Sequence, residues 1–126
     1  MNLADISFKV SKDVYEKFTS LSGDVHPLHT DEQFAKSKGF KDMVVQGNLL
    51  NCFISYIIGM HIQLENVMII NQSINFRKPI FIGDYLTFRL SIKDKLDFLP
   101  GVELSFKCLR NTENVANGTI LIKTDL

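Results

Sequence analysis

At 126 residues, with 45% hydrophobic content and ten phenylalanines, the chain fits one domain that can bury a single core without disulfide or metal staples. Fourteen basic residues balance fourteen acidic ones, so no net field draws it to nucleic acid or to an anionic membrane. Cys52 and Cys108 lie far apart, show no metal-ligand spacing and sit in apolar stretches, which reads as two buried thiols in a reducing compartment.

Met1 to Val10 lacks both a basic n-region and an apolar run of export length, so the expected location is the cytoplasm. Ile6, Phe8 and Val10 alternate with Ser7 and Lys9, which predicts a half-buried strand. Ser11 then offers an N-cap to a helix carrying Val14, Phe18 and Leu21 along one side. That helix runs into Leu21-Ser22-Gly23-Asp24-Val25-His26-Pro27-Leu28-His29, where Gly23 and Pro27 keep the chain from continuing as helix. Two of the three histidines fall here beside a carboxylate, so the chemistry that titrates near neutral pH concentrates in one loop. Beyond it, Thr30 and Gln33 have the spacing of a capping box, and Gly39 stands where a second short helix would end.

From Gly47 to Ile62 the sequence is apolar on nearly every side, which predicts a central helix wrapped by other structure. Asn51 and Ser55 interrupt it, and it falls short of the roughly 20 apolar residues a bilayer requires, so its burial is expected in protein. Four β-rich runs follow, Val67 to Phe76, Tyr85 to Ile92, Val102 to Arg110 and Val115 to Thr124. Turn residues separate them at Pro79 to Asp84, Pro100-Gly101 and Asn111 to Asn114. Four strands in series predict an antiparallel meander. With the N-terminal strand this gives an α+β layout of about five strands curved around one helix, in a single domain over 1–126.

The segment Ser22-Gly23-Asp24-x-His26-Pro27-Leu28-His29 resembles the hydratase motif of the MaoC-like, (R)-specific enoyl-CoA hydratases, usually Ser-Gly-Asp-x-Asn-Pro-Leu-His followed closely by an Ala. Ala35 takes that Ala position. Val44-Val45-Gln46-Gly47-Asn48-Leu49 is similar to the family's Val-His-Gly-Met-Leu element, and Phe76-Arg77-Lys78-Pro79-Ile80-Phe81-Ile82-Gly83-Asp84 to its Phe-x-x-Pro-Val-x-x-Gly-Asp element. Order and spacing match over almost the whole chain. The resemblance implies a hotdog fold, a long central helix wrapped by an antiparallel sheet, that usually dimerises by joining two sheets edge to edge. It also implies reversible addition of water to a trans-2-enoyl thioester, giving an (R)-3-hydroxyacyl product on coenzyme A or acyl carrier protein.

Asp24 and His29 sit at the family's catalytic positions. Gly47 is the expected oxyanion donor, because glycine at the start of a helix brings unpaired N–H groups and the positive end of the dipole to an anion. Gln46, Asn48, Ser55 and His26 complete the candidate substrate-binding set. Ser55 lies about two turns beyond Gly47 and on a similar side. Two departures from the family pattern stand out, His26 where Asn is usual and Gln46 where His is common.

Other chemistry carries less weight. Asp24, His26 and His29 could satisfy a catalytic zinc, but Pro27 restricts the loop and no further ligand set follows, so no metal is expected. Without the surrounding motif, Asp24 and Thr30 read as helix and turn caps. His61, near the end of the apolar run, reads as a partner of the helix dipole. Lys36, Lys38 and Lys41 read as a solvated face ahead of a site for coenzyme A phosphates. No Gly-rich phosphate loop or dinucleotide fingerprint occurs, so the only cofactor chemistry expected is the coenzyme A or phosphopantetheine belonging to the substrate. The rival functions are a hotdog acyl thioesterase and a non-catalytic acyl-thioester-binding protein.

Overall fold

The computed structural model describes residues 3–95 and 101–124, which leaves Pro100 of the expected Pro100-Gly101 turn outside the described residues. Its strands are β1 (Ile6–Lys9), β2 (Met68–Phe76), β3 (Tyr85–Lys95), β4 (Gly101–Arg110) and β5 (Glu113–Lys123). Its helices are α1 (Lys12–Ser22), α2 (Pro27–Thr30), α3 (Glu32–Ser37) and α4 (Leu49–Tyr56), the last continued by a π turn over Ile57–His61. The five strands form one antiparallel sheet in the order β1-β3-β4-β5-β2.

That order corrects the expected four-strand meander. β3, β4 and β5 do run in series, but β2 pairs with β5. β3 already has β1 on one side, with Ile6 opposite Phe88, and β4 on the other, with Phe88 opposite Cys108, so its ladder has no place for a third strand. β2 therefore forms the far edge, and the segment 77–84 carries the chain back across the sheet to start β3. Gly118 permits the β2–β5 contact, since a Cβ there would lie 1.9 Å from the Ser73 carbonyl oxygen.

Helix α4 packs Leu49, Leu50, Phe53 and Ile54 against the sheet, and the π turn adds Ile57 and Ile58. Phe8 of β1 stacks on Phe53 at 4.4 Å between centroids and meets Phe88 of β3 edge-on at 5.8 Å, so aromatic rings tie the helix to the sheet. The helix is not wrapped on all sides. Cys52, Ser55, Tyr56 and Met60 are exposed, because a single sheet covers only one side of a cylinder. This corrects the expectation for Cys52, whose thiol is exposed; Cys108 is buried, and that burial pushes its thiol up to about 12.

Two smaller expectations also change. Asp31 caps α3, its Oδ1 accepting from the N–H groups of Gln33 and Phe34 at 3.0 and 3.1 Å, in place of a capping box begun by Thr30. Thr30 belongs to α2, and its hydroxyl donates back to the carbonyls of Val25 and His26. Leu21 does not join Val14 and Phe18 in packing toward the core; it is 83% exposed in the last turn of α1.

Candidate active site

Helix α1 ends because Gly23 takes the left-handed conformation at φ 71°, which glycine adopts without a Cβ penalty, and its N–H closes on the Thr19 carbonyl at 2.9 Å. Asp24 therefore leaves the helix at a fixed angle. Its N–H donates to Ser22 Oγ at 3.1 Å, and its Oδ1 accepts from the His26 N–H at 3.3 Å. Pro27 opens α2, and His26 Nδ1 caps it by accepting from the Leu28 N–H at 3.1 Å. The imidazole thus does the hydrogen-bonding work that an asparagine oxygen would do at an N-cap.

One turn of α2 delivers His29. The Tyr15 hydroxyl donates to the His29 carbonyl at 2.6 Å, and the Val44 N–H donates to the Leu28 carbonyl at 3.0 Å, so α2 is clamped from two sides. His29 Nδ1 lies 2.6 Å from the Val44 carbonyl oxygen. A carbonyl can only accept, so Nδ1 carries the hydrogen and Nε2 is left facing Asp24 Oδ2 across 3.4 Å. The His29 side chain is 17% exposed and that of Asp24 43% exposed, so the pair is reachable from solvent and partly shielded.

His29 opens onto a cavity of about 420 Å³. Val44, Val45, Gly47, Asn48 and Leu50 form one wall, and Phe40 adds an apolar face. Phe76, Arg77, Lys78, Pro79 and Ile80, from the end of β2 onward, form the other. Gly47 lies beneath the Phe76 ring, where a Cβ would come within 3.0 Å of two ring carbons. Among the described residues the N–H groups of Gly47 and Asn48 have no acceptor, and Asn48 makes no side-chain cap, so two donors stand free at the entry to α4.

The second wall is held by a clamp. Asp84 Oδ2 accepts from the Phe81 N–H and from Arg110 Nη1, both at 2.8 Å, and Nη1 also donates to the Pro79 carbonyl at 2.9 Å. The Gly-Asp of the third sequence element is therefore architectural.

Of the sequence-predicted site residues, the structure brings together His29, Gly47 and Asn48 at the cavity, with Asp24 behind His29. Gln46 is 2% exposed and does not line the cavity; its Nε2 donates to Thr19 Oγ1 at 2.9 Å and to the Asp24 carbonyl at 3.1 Å, so it ties α1 to the loop. Ser55 is exposed on α4 and is not part of the lining. His26 is exposed on the loop, and His61 Nε2 lies 3.3 Å from the Ala4 carbonyl, away from the site. Among the described residues no three His, Cys, Asp or Glu side chains form a metal-holding group. Sequence reasoning missed Tyr15 and the Val44 carbonyl. A main-chain acceptor carries no signal in residue identity, and Tyr15 reads as one more apolar helix position.

Comparison with known proteins points the same way. An (R)-specific enoyl-CoA hydratase of Rhodospirillum rubrum is 29% identical over 118 residues, spanning 94% of this chain and 78% of that protein. One from Aeromonas caviae is 33% identical over 75 residues, 60% of this chain and 56% of the relative. The solved (R)-hydratase from A. caviae involved in PHA biosynthesis superposes with a TM-score of 0.88 at 25% identity, covering 99% of this chain and 95% of that one. The fold is accordingly the α+β hotdog of the (R)-hydratases. The MaoC-like domain model matches residues 3–103, and the chain belongs to that family.

Proposed function

We propose that this protein is a hydro-lyase that adds water across C2=C3 of a trans-2-enoyl thioester and removes it from the (R)-3-hydroxyacyl thioester, with Asp24 and His29 as the proton-transferring pair. The observation that carries the reading is one apolar cavity lined by an imidazole, whose Nε2 has a carboxylate oxygen 3.4 Å away, and by Gly47 and Asn48, whose N–H groups are unpaired among the described residues. A water lying against both Nε2 and Oδ2 donates one hydrogen to each, which turns an oxygen lone pair outward toward C3. As that oxygen bonds to C3, one member of the pair takes the water proton, the C2=C3 electrons move onto the thioester oxygen, and the N–H of Gly47, aided by that of Asn48, meets the developing charge. The member of the pair that took the water proton then returns it to C2, as the electrons on the thioester oxygen collapse back to the carbonyl, which completes the addition and restores both groups. No metal is needed, because general-base and general-acid groups are both supplied by side chains.

Gln46 acts from beneath, by holding the Asp24 backbone. The relatives' names cover both enoyl-CoA hydratases and a 3-hydroxyacyl-[acyl-carrier-protein] dehydratase, so the thioester carrier is coenzyme A or carrier protein. The working species is a homodimer in the cytoplasm. β2 is an open sheet edge, and Met68, Ile69, Ile70 and Phe76 on it, with Tyr56 and Met60 nearby in sequence on α4 and the π turn, are exposed apolar side chains that a second copy would cover. No helix among the described residues is long and apolar enough to cross a membrane.

The test follows the conjugated enoyl-thioester absorbance with crotonyl-coenzyme A and with a crotonyl carrier protein. Loss of absorbance with the thioester intact supports hydration; release of free thiol makes the protein a thioesterase, and binding without either reaction makes it a carrier of acyl thioesters.

A further inference from the structure

The rim of the cavity carries charge that hydration of an alkene does not call for. Arg77 and Lys78 follow Phe76 and line the same cavity as His29 and Gly47. Both are exposed, no acidic residue lines the cavity, and among the described residues no carboxylate pairs with either. Their backbone is held still: the N–H groups of Arg77 and Lys78 both donate to the Val115 carbonyl, at 2.8 and 3.1 Å, and the next carbonyl, that of Pro79, is held by Arg110. Two cations in succession are thus mounted on a fixed segment at the mouth of an apolar cavity. An acyl chain has no use for them, whereas phosphate oxygens do.

The other basic cluster near the site is differently engaged. Lys36 pairs with Glu32 at 2.8 Å, Lys38 lies over the Phe34 ring and Lys41 over the Phe81 ring, and none of the three lines the cavity.

We propose that Arg77 and Lys78 hold the phosphate oxygens of the phosphopantetheine arm that carries the acyl thioester, so that this segment selects phosphorylated carriers. The proposal rests on the hydratase reading for the thioester's place beside His29 and Gly47. The arm is common to coenzyme A and to the prosthetic group of a carrier protein, and the two sources separate experimentally.

The experiment compares crotonyl thioesters of coenzyme A, carrier protein and N-acetylcysteamine, which has no phosphate, in the intact protein and in Arg77→Gln, Lys78→Gln and the double variant. A Lys36→Gln variant serves as control. The expected result is a KM for phosphorylated substrates that rises about tenfold for each cation removed, with kcat within about twofold and the N-acetylcysteamine thioester unaffected. Calorimetric titration with free coenzyme A should show the same weakening, and about 0.5 M salt should reproduce part of it. A change confined to carrier protein, or to coenzyme A, identifies the source of the phosphate. Unchanged KM for both, or an equal loss with the phosphate-free thioester, would overturn the proposal. If no thioester is hydrated, the hydratase reading fails, and the titration alone decides the role of the cations: unaltered or absent coenzyme A binding overturns it.

Discussion

Gly-Asp occurs at two places that matter, Gly23-Asp24 and Gly83-Asp84, and in both the glycine has positive φ, 71° and 98°. The aspartates have opposite fates. Asp84, with a side chain 13% exposed, has its Oδ2 filled at 2.8 Å by both a guanidinium and a backbone N–H. Asp24, 43% exposed, has one oxygen on a 3.3 Å backbone contact and the other 3.4 Å from an imidazole. A carboxylate whose acceptor sites are met by fixed donors holds a turn together; one left with long contacts beside a titratable ring can exchange protons. Under the proposed mechanism the same dipeptide supplies architecture at Asp84 and chemistry at Asp24 because of what surrounds it.

The contrast is most easily broken at the reactive end. Asp24→Asn and His29→Ala should each lower hydration on the order of 100 to 10000-fold, since each removes one partner of the proton-transfer pair, while thermal unfolding stays near that of the parent. Turnover close to the parent in either folded variant would remove the dyad. At the architectural end, Asp84→Asn should destabilise the fold by about 1.5–3 kcal/mol through loss of a charge-assisted bond to Arg110, read by denaturant unfolding, with activity per folded molecule largely kept. An Asp84→Asn protein of full stability but no activity would make the clamp a part of the chemistry.

Between these extremes lies Gln46, which touches Asp24 only through its backbone. Gln46→Leu loses donors to Thr19 and to the Asp24 carbonyl. It should cost about 1–2 kcal/mol of stability and lower kcat with little change in KM, and Gln46→His, keeping one ring N–H donor, should recover part of the loss. A raised KM with unchanged kcat would instead place Gln46 against the substrate.

How much of this was legible in the sequence follows from the range of each interaction. The loop from Leu21 to His29 could be read because its determinants are local: a glycine that ends a helix, a proline that begins one, and two titratable groups between and beyond them. Strand positions are legible from alternation in β1 and from β-rich runs bounded by turn residues in the other four, but the pairing of β2 with β5 is not, because an edge partner is chosen by which ladders are already full. The exposure of Cys52 and Leu21 was hidden for a related reason. Hydrophobicity says that a side chain is better covered, and not whether this chain or another surface covers it. Gln46 was placed beside the substrate on its sequence position before Gly47, whereas burial turned its amide toward α1.

The smallest expected effect concerns His26, the residue by which the reactive loop departs from its family pattern. Its Nδ1 accepts the Leu28 N–H, and an asparagine at an N-cap offers an oxygen acceptor for the same kind of bond. His26→Asn should therefore leave both melting temperature and turnover close to those of the parent. His26→Ala removes the acceptor and should cost about 1 kcal/mol, seen as a drop of a few degrees in Tm, with a modest fall in kcat as α2 loosens around His29. The comparison separates two roles that deletion alone would confuse. If the ring is only a cap, asparagine restores whatever alanine loses. If asparagine and alanine are equally inactive, and as inactive as His29→Ala, the ring moves a proton, and the division between a bonded scaffold and a single reactive pair would have to admit a third titrating group.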